Sequence, residues 1–484
     1  MKKFFLAITF ICSTFFLTAQ YSEIIRFSKL NPLSSYYNPA TYTPYNGYVS
    51  FPFLSNINFA LHNSGFKYNN IFNLGSDGTP QSITMNNFVD KLNVQNNILA
   101  FNFSEEILGF GFRIKNLFFS YSQRLKFEAN YFYSQDLFGF LTYGNLNYLG
   151  PHDPANISMK FNTSMYSESS IGVHYKLNDH IYIGIRPKYL AGYMNINVSD
   201  LTFKLYTDPD DYSLKLNYNG ELRFATPVPI FKVENNRIVL EDFSAMGGIS
   251  DYLEMAKGTL TGNSGAGIDL GVLYRINNQF GVSVAATDIG FIKWRTSTIS
   301  IKTKPLAEGE FVDSEGNMIF SGLTTEVLNK LMNGASISEA FGVPASFDTL
   351  FQDLFTIEEL PYYVTSLTTK LSAEGYYQIN ESNRVSALFK GYFVNKTFVP
   401  AFTLAYNGNF WNMIDVIATY SMTKKSYANV GIGLGIRLGP IHLYGGTDNI
   451  LAVLNPLNSS IINAQFGLIF DWGIKKAKEK KIKY

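Results

Sequence analysis

The strongest constraint on this chain is an alternation, residue by residue, of apolar with small or polar side chains. In "VGIGLGIRLG" (430–439), Val430, Ile432, Leu434, Ile436 and Leu438 take one face, while Gly431, Gly433, Gly435 and Arg437 take the other. "AGIDLGVLYRI" (266–276) sets Ile268, Leu270, Val272, Tyr274 and Ile276 against Gly267, Asp269, Gly271, Leu273 and Arg275. "LGFGFRI" (108–114) does the same with Leu108, Phe110, Phe112 and Ile114. A period of two is that of an extended strand, whose successive side chains point to opposite faces. The phase returns in "IYIGIRPKY" (181–189), "FGVSVAA" (280–286), "RVSALFKGYF" (384–393) and "DVIATYS" (415–421).

A secreted sandwich also alternates, but its water-facing side would carry more charge. Here that side is largely Gly and Ser with single basic residues, and charged residues are only 16% of the chain against 16% aromatic. Beyond residue 20 no run of 18 apolar residues appears, so no helical span absorbs the apolar content. The fold predicted is all-β: a transmembrane antiparallel β-barrel of about 14 strands, apolar outside and polar within. Lys and Arg number 39 against 38 Asp and Glu, which argues against a nucleic-acid partner. Leu434→Arg on the lipid side should be costly, while Gly433 should accept a small polar residue such as Ser.

Three copies of Tyr, any residue, Ile or Leu, then Asn end such runs: "YRIN" at 274–277, "YKLN" at 175–178 and "YQIN" at 377–380. The tyrosines suit an interfacial girdle. Asn277–Asn278, Asn178–Asp179 and Asn380–Glu381 are expected to turn the chain by adopting positive φ. Such short turns face the periplasm. The last third reads as a meander over 362–379, 384–394, 397–407, 410–421, 427–438, 440–447 and 461–471. Short helices are expected in loops at Thr84–Leu92, Ser134–Tyr143 (capped by Ser134 and stopped by Gly144), Met246–Lys257 and Leu323–Asn333. Ser336 and Glu339 form a capping box after the last of these.

The chain opens "MKKFFLAITFICSTFFLTAQ", with Lys2 and Lys3 before an apolar run and Ala19 before Gln20. This reads as a signal peptide over 1–19, cleaved on export, which removes Cys12, the only cysteine. The segments that follow are 20–46 at the N-terminus, a barrel over 47–472, and a basic periplasmic tail over 473–484.

No H-E-x-x-H, P-loop, G-x-S-x-G or cysteine ligand set occurs, and "GIGLGIRLG" lacks the third glycine of a dinucleotide fingerprint. The five histidines, His62, His152, His174, His180 and His442, meet no evident nucleophile. No catalytic residue, metal or cofactor is expected. Arg113, Arg124, Arg186, Lys188, Arg275, Lys390 and Arg437 fall on the lumen side. They either attract an anionic group or pair with inward Asp269, Asp415 and the N-terminal segment.

"SSYYNPATYTPY" (34–45) carries a family resemblance. "YYNPA" resembles the N-terminal segment of the FadL-like fatty-acid transporters, and Asn-Pro-Ala is also similar to the PorP/SprF-type membrane proteins of Bacteroidota secretion and gliding. With "YRIN…DIGFIKW" (274–294), "VPAFTLAYNGNFWN" (399–412) and "GPIHLYGGTDNILAVLNPLNSSIINAQFGLIF" (439–470), the whole chain looks most like a Bacteroidota outer-membrane barrel family of unknown function. The first resemblance implies a hatch over 20–46 carrying Tyr37, Asn38, Pro39 and Ala40. It also implies passage of a hydrophobic or amphipathic ligand beside outer-membrane lipid. The second implies envelope protein partners and a structural role. A continuous apolar cavity beside 34–45 would favour transport, and a filled lumen the structural role.

Overall fold

The computed structural model describes residues 22–473 except 68–70, 76–79, 84, 96, 150–153, 211, 227–230, 235–236, 241–260, 305–311, 313, 315–316, 321–324, 342–353, 395–396, 424–425 and 456–457. The leader, His152, the helix expected at 246–257 and the tail after Gly473 lie outside these residues.

Fourteen antiparallel strands close into a barrel. Strand β1 (Gly47–Ser50 and Ser55–Asn63) pairs with β2 (Asn97–Ile114) on one side and with β14 (Ile461–Trp472) on the other, which closes the ring. Around the wall follow β3 (Leu117–Tyr133), β4 (Ala155–Lys176), β5 (Ile181–Thr207), β6 (Ser264–Arg275) and β7 (Phe280–Trp294). Then come β8 (Tyr363–Ser366 and Thr369–Gln378), β9 (Asn383–Val394), β10 (Thr397–Phe410), β11 (Ile414–Thr423), β12 (Ser426–Leu438) and β13 (Ile441–Thr447). Closure pairs each strand with a neighbour on both sides and removes the edges that an open sheet would expose, although β1 and β2 match only at Ser55–Glu106 and Asn63–Leu99 beyond their first three pairs. Among the described residues no helix is long and apolar enough to cross a membrane.

The far half of β5 leaves β6 and pairs with Leu214–Ala225. That strand pairs with Ile299–Thr303, which pairs in turn with Phe355–Glu359. The wall therefore continues past one rim as a side sheet, at the end opposite the short turns.

The alternation holds in three dimensions. Leu434 is 47% exposed on the outer surface with Ile432 and Leu438, as are Leu270, Val272 and Tyr274 on β6. Asp269, Lys188 and Arg186 are buried inside. This is the inverse of a water-soluble core. The meander of the last third holds too, except that β11 begins at Ile414: Trp411 and Asn412 take positive φ and turn the chain there.

The three asparagine turns form by another device than positive φ, which none of their residues adopts. Asn178 Oδ1 accepts from the N–H groups of His180 and Ile181, at 2.8 and 2.7 Å. Asn277 does so from Gln279 and Phe280 (2.8 and 2.7 Å), and Asn380 from Ser382 and Asn383 (3.0 and 2.9 Å). Each side chain thus imitates a backbone carbonyl and satisfies two N–H groups that the hairpin leaves over. The capping box is present: Ser336 N–H donates to Glu339 (3.0 Å), and Glu339 N–H to Ser336 Oγ (3.2 Å). Helix Asp136–Tyr143 starts later than expected, because Ser134 Oγ accepts from Ser158 N–H across to β4 instead of capping. It stops at Gly144, whose φ is 70°.

A closed wall of this kind opens only as a unit. The protein is expected to migrate differently in SDS gels before and after boiling. Identical migration would count against a barrel that persists in detergent.

Candidate functional site

The N-terminal segment fills the lumen. Residues 22–45 lie inside the ring: Glu23 N–H reaches Asp448 beyond the far end of β13 (2.9 Å), Lys29 reaches the Glu381 carbonyl at a short turn (3.1 Å), and the chain folds as two short 3-10 turns, Ile24–Phe27 and Pro32–Tyr36. Their apolar side chains Ile24, Ile25, Phe27 and Leu33 pack on Leu388, Ile417, Tyr444 and Ile469 of the wall. Within the segment, every backbone–backbone hydrogen bond of residues 22–45 is local, such as Arg26 N–H to Glu23 O and Thr41 N–H to Asn38 O. No ladder joins it to the wall among the described residues.

Asn-Pro-Ala has a steric role. Asn38 Oδ1 accepts from Ala40 N–H (2.9 Å), and Pro39 sets φ for the tight turn that Thr41 N–H closes onto Asn38 O (2.9 Å). The turn lies against two inward glycines: a Cβ on Gly184 would collide with the Pro39 carbonyl, and one on Gly271 with Asn38. Gly433 and Gly446 receive Ile24 in the same way, at 2.5 and 3.0 Å from where a Cβ would stand. The expectation that Gly433 accepts Ser is therefore corrected: its inward side is occupied by Ile24. These four inward glycines are the imprint of the N-terminal segment, whereas Gly431 and Gly435 lie against wall residues such as Thr419, Asp448, His442 and Asp415. Tyr37 donates to Ser22 O (2.8 Å) and to Gln465 Oε1 (2.9 Å). Burial raises the Tyr36 and Tyr37 phenols well above their ordinary value, so both act as un-ionised groups.

The seven lumen cations separate into two levels. At the turn end, Arg113 donates to the carbonyls of Thr43 and Tyr45 and lies over the Tyr42 ring (4.9 Å). Arg275 stands over Tyr182 (4.8 Å) and Tyr42 (5.8 Å), while Arg437 pairs with Asp471 (2.5 Å) beneath Tyr45. His442 Nδ1 contacts Asp471 (3.2 Å), and its Nε2 has no hydrogen-bond partner among the described residues. Asp415 binds Ser28 and Asn407.

Deeper in the lumen, Arg124, Arg186, Lys188 and Lys390 join a network of opposite charges. Arg124 pairs with Glu168, Lys390 with Glu23, and Arg186 with Asp269 (3.7 Å) and Ser35 O (3.1 Å). Lys188 contacts Asp269 (2.6 Å), Asp288 (2.5 Å) and Glu168 (3.5 Å). Tyr36 is held between the guanidinium groups of Arg124 (4.6 Å) and Arg186 (4.7 Å). Arg26, Lys126, Lys370 and Asp288, absent from the seven cations read off the alternation, complete the network. Lys126 was legible, standing two residues after Arg124 in the alternation of β3. Asp288 was not. A β-bulge sets Thr287 and Asp288 against Asp269 alone, gives Asp288 a φ of 57°, and turns its carboxylate inward. There it meets Lys188 and Lys370 (2.5 Å each) and Lys126 (3.4 Å).

Between this network and the N-terminal segment lies a cavity of about 50 Å³. Arg26, Arg124, Lys126, Lys188, Lys370 and Lys390 line it, with Asp288 and polar Asn56, Asn58 and Ser104. Arg26 ties its inner wall to β8, through Glu374 (3.1 Å) and Ser372 (3.0 Å).

Because Gly184 lies against backbone, Gly184→Val should cost about 1–3 kcal/mol by overpacking. It should also displace the segment: planar-bilayer recordings are expected to show ion conductance that wild type lacks. Equal conductance would mean that residues 38–40 do not seal the lumen.

Residues 39–448 match the model of a family of unknown function (DUF5723), and the chain belongs to that family. No curated protein matches the sequence. Among solved structures, the chain is similar to the toluene transporter TbuX of Ralstonia pickettii, at 8% identity and TM-score 0.40, covering 93% of this chain and 98% of that one. It is also similar to the toluene transporter TodX of Pseudomonas putida (8%, TM-score 0.36, 94% and 97% covered). A third similar structure is a FadL homologue of Pseudomonas aeruginosa (10%, TM-score 0.30, 94% and 100% covered).

Proposed function

We propose that this family member is an outer-membrane barrel, exported through a cleaved signal peptide, that binds or passively passes a hydrophobic or amphipathic small molecule. Residues 20–46 are its hatch, and the lumen cations receive the polar end of the ligand. One observation carries this reading. Residues 22–45, which close the lumen, are held by side chains and by donors to their carbonyls, with no backbone ladder to the wall among the described residues until Asn46, which pairs with Trp472 and Arg113. A segment so held can leave without breaking the barrel. The apolar outer surface supports insertion in lipid. No catalytic role is assigned to any residue.

The test is uptake of laurate into vesicles containing the purified protein, followed by an internal pH dye. Faster uptake than in protein-free vesicles, and faster again with Gly184→Val, is the expected result. Rates equal to protein-free vesicles for both proteins would sink the reading.

The filled lumen favours a second role, as a structural component of an envelope secretion or gliding assembly of the PorP/SprF kind. Its partners would meet the side sheet beyond the rim or the basic tail. Gentle extraction from the native membrane followed by mass spectrometry separates the two: a stoichiometric protein partner supports the assembly, and a co-purifying amphiphile supports transport.

A further inference from the structure

We propose that the cavity facing Arg26 and Lys390 is a binding site for one oxyanionic group, a carboxylate or phosphate, and that its occupant loosens the N-terminal segment. The inference rests on reading that segment as a hatch. The size of the cavity sets the ligand. One water needs roughly 10–15 Å³ on the same scale, so about 50 Å³ holds a single oxyanion and excludes an acyl chain.

The lining sets the charge. Six cationic side chains face the cavity with one carboxylate, Asp288, and both its oxygens are already engaged by Lys126, Lys188 and Lys370. Glu168 serves Arg124, Lys126 and Lys188 together. Arg124 is 8% exposed, and its Nε–H has no hydrogen-bond partner among the described residues. A buried guanidinium donor left over beside a polar space is a group awaiting an acceptor.

The position of the site supplies the coupling. Arg26 reaches Glu374 (3.1 Å) and Glu23 (3.6 Å), and Lys390 reaches Glu23. These pairs fasten residues 23–26 to β8 and β9. An oxyanion in the cavity competes with Glu23 and Glu374 for the same two cations. It therefore binds better when the segment is released, and release is favoured when it binds.

The experiment is calorimetric titration of the purified full-length protein in detergent with sodium phosphate, sodium laurate and dodecanol. Lys126→Gln and Lys370→Gln each leave Asp288 two lysines, and exposed Arg295→Gln serves as control. Retained heat-modifiable migration shows that each variant folds, and whichever lysine variant folds is read. The expected result is one saturable anion site, weakened about tenfold by either lysine change and unmoved by Arg295→Gln. A second reading is labelling of Ile24→Cys by a maleimide, expected to accelerate when the site is filled.

Phosphate and laurate competing for one site supports the proposal with a free oxyanion as ligand. Laurate alone supports it with a head group as ligand. Dodecanol binding as tightly as laurate, lysine variants without effect, or no saturable anion binding would each overturn it. Anion binding without vesicle uptake leaves this site standing and removes the transport reading. Uptake with no anion site does the opposite.

Discussion

Asp288→Asn is expected to destabilise the protein by about 3–5 kcal/mol, the cost of removing one partner from a buried charge cluster. Asp288 pairs with Lys370, and it shares Lys126 with Glu168 and Lys188 with both Glu168 and Asp269. Its neutral replacement leaves three ammonium groups gathered around an amide inside a wall from which they cannot turn to solvent. Asparagine keeps the size of the side chain and tolerates the positive φ at this position, so neither volume nor backbone confounds the result. Urea unfolding of the vesicle-inserted protein, followed by far-UV circular dichroism, measures it. A loss below about 1 kcal/mol would place the cluster in the range of solvent-exposed ion pairs. That outcome would imply a hydrated lumen.

Leu434→Arg is expected to cost about 2–4 kcal/mol in the same assay, the range for a basic residue near the middle of the lipid face. Leu434 stands on the outer surface between Ile432 and Ile436, paired with Val416 and Gly445 on the neighbouring strands. No acidic partner is within that register. The same substitution at Leu438, close to the Gly439 turn, should cost much less, because the side chain can reach the interface there. Equal costs at the two positions would show that depth in lipid does not set the energy and that this face is wet.

The parts of this molecule that repeat were legible. Alternation along 266–276 and 430–439 placed Leu270 and Leu434 outside and Asp269 and Arg437 inside, because strand geometry ties each side chain's direction to its parity in the chain. The asparagine turns were found, although their mechanism was misread: side-chain acceptance by Asn178, Asn277 and Asn380 leaves the same sequence trace as a positive-φ turn. Asn38, Pro39 and Ala40 were singled out by resemblance, yet nothing local says that Gly184 and Gly271 are small to admit them.

By itself, then, the sequence determined the class of fold, the inward and outward phase of the strands, and the basic character of the lumen. These follow from rules that act between near neighbours in the chain. Only the tertiary structure decided which charges meet. Arg26 reaches Glu374 across 348 positions of sequence, and Lys188 reaches Asp288 across 100 because a bulge breaks the parity rule there. Closing the ring brings such residues together, and parity along one strand carries no record of what stands opposite in the closed wall.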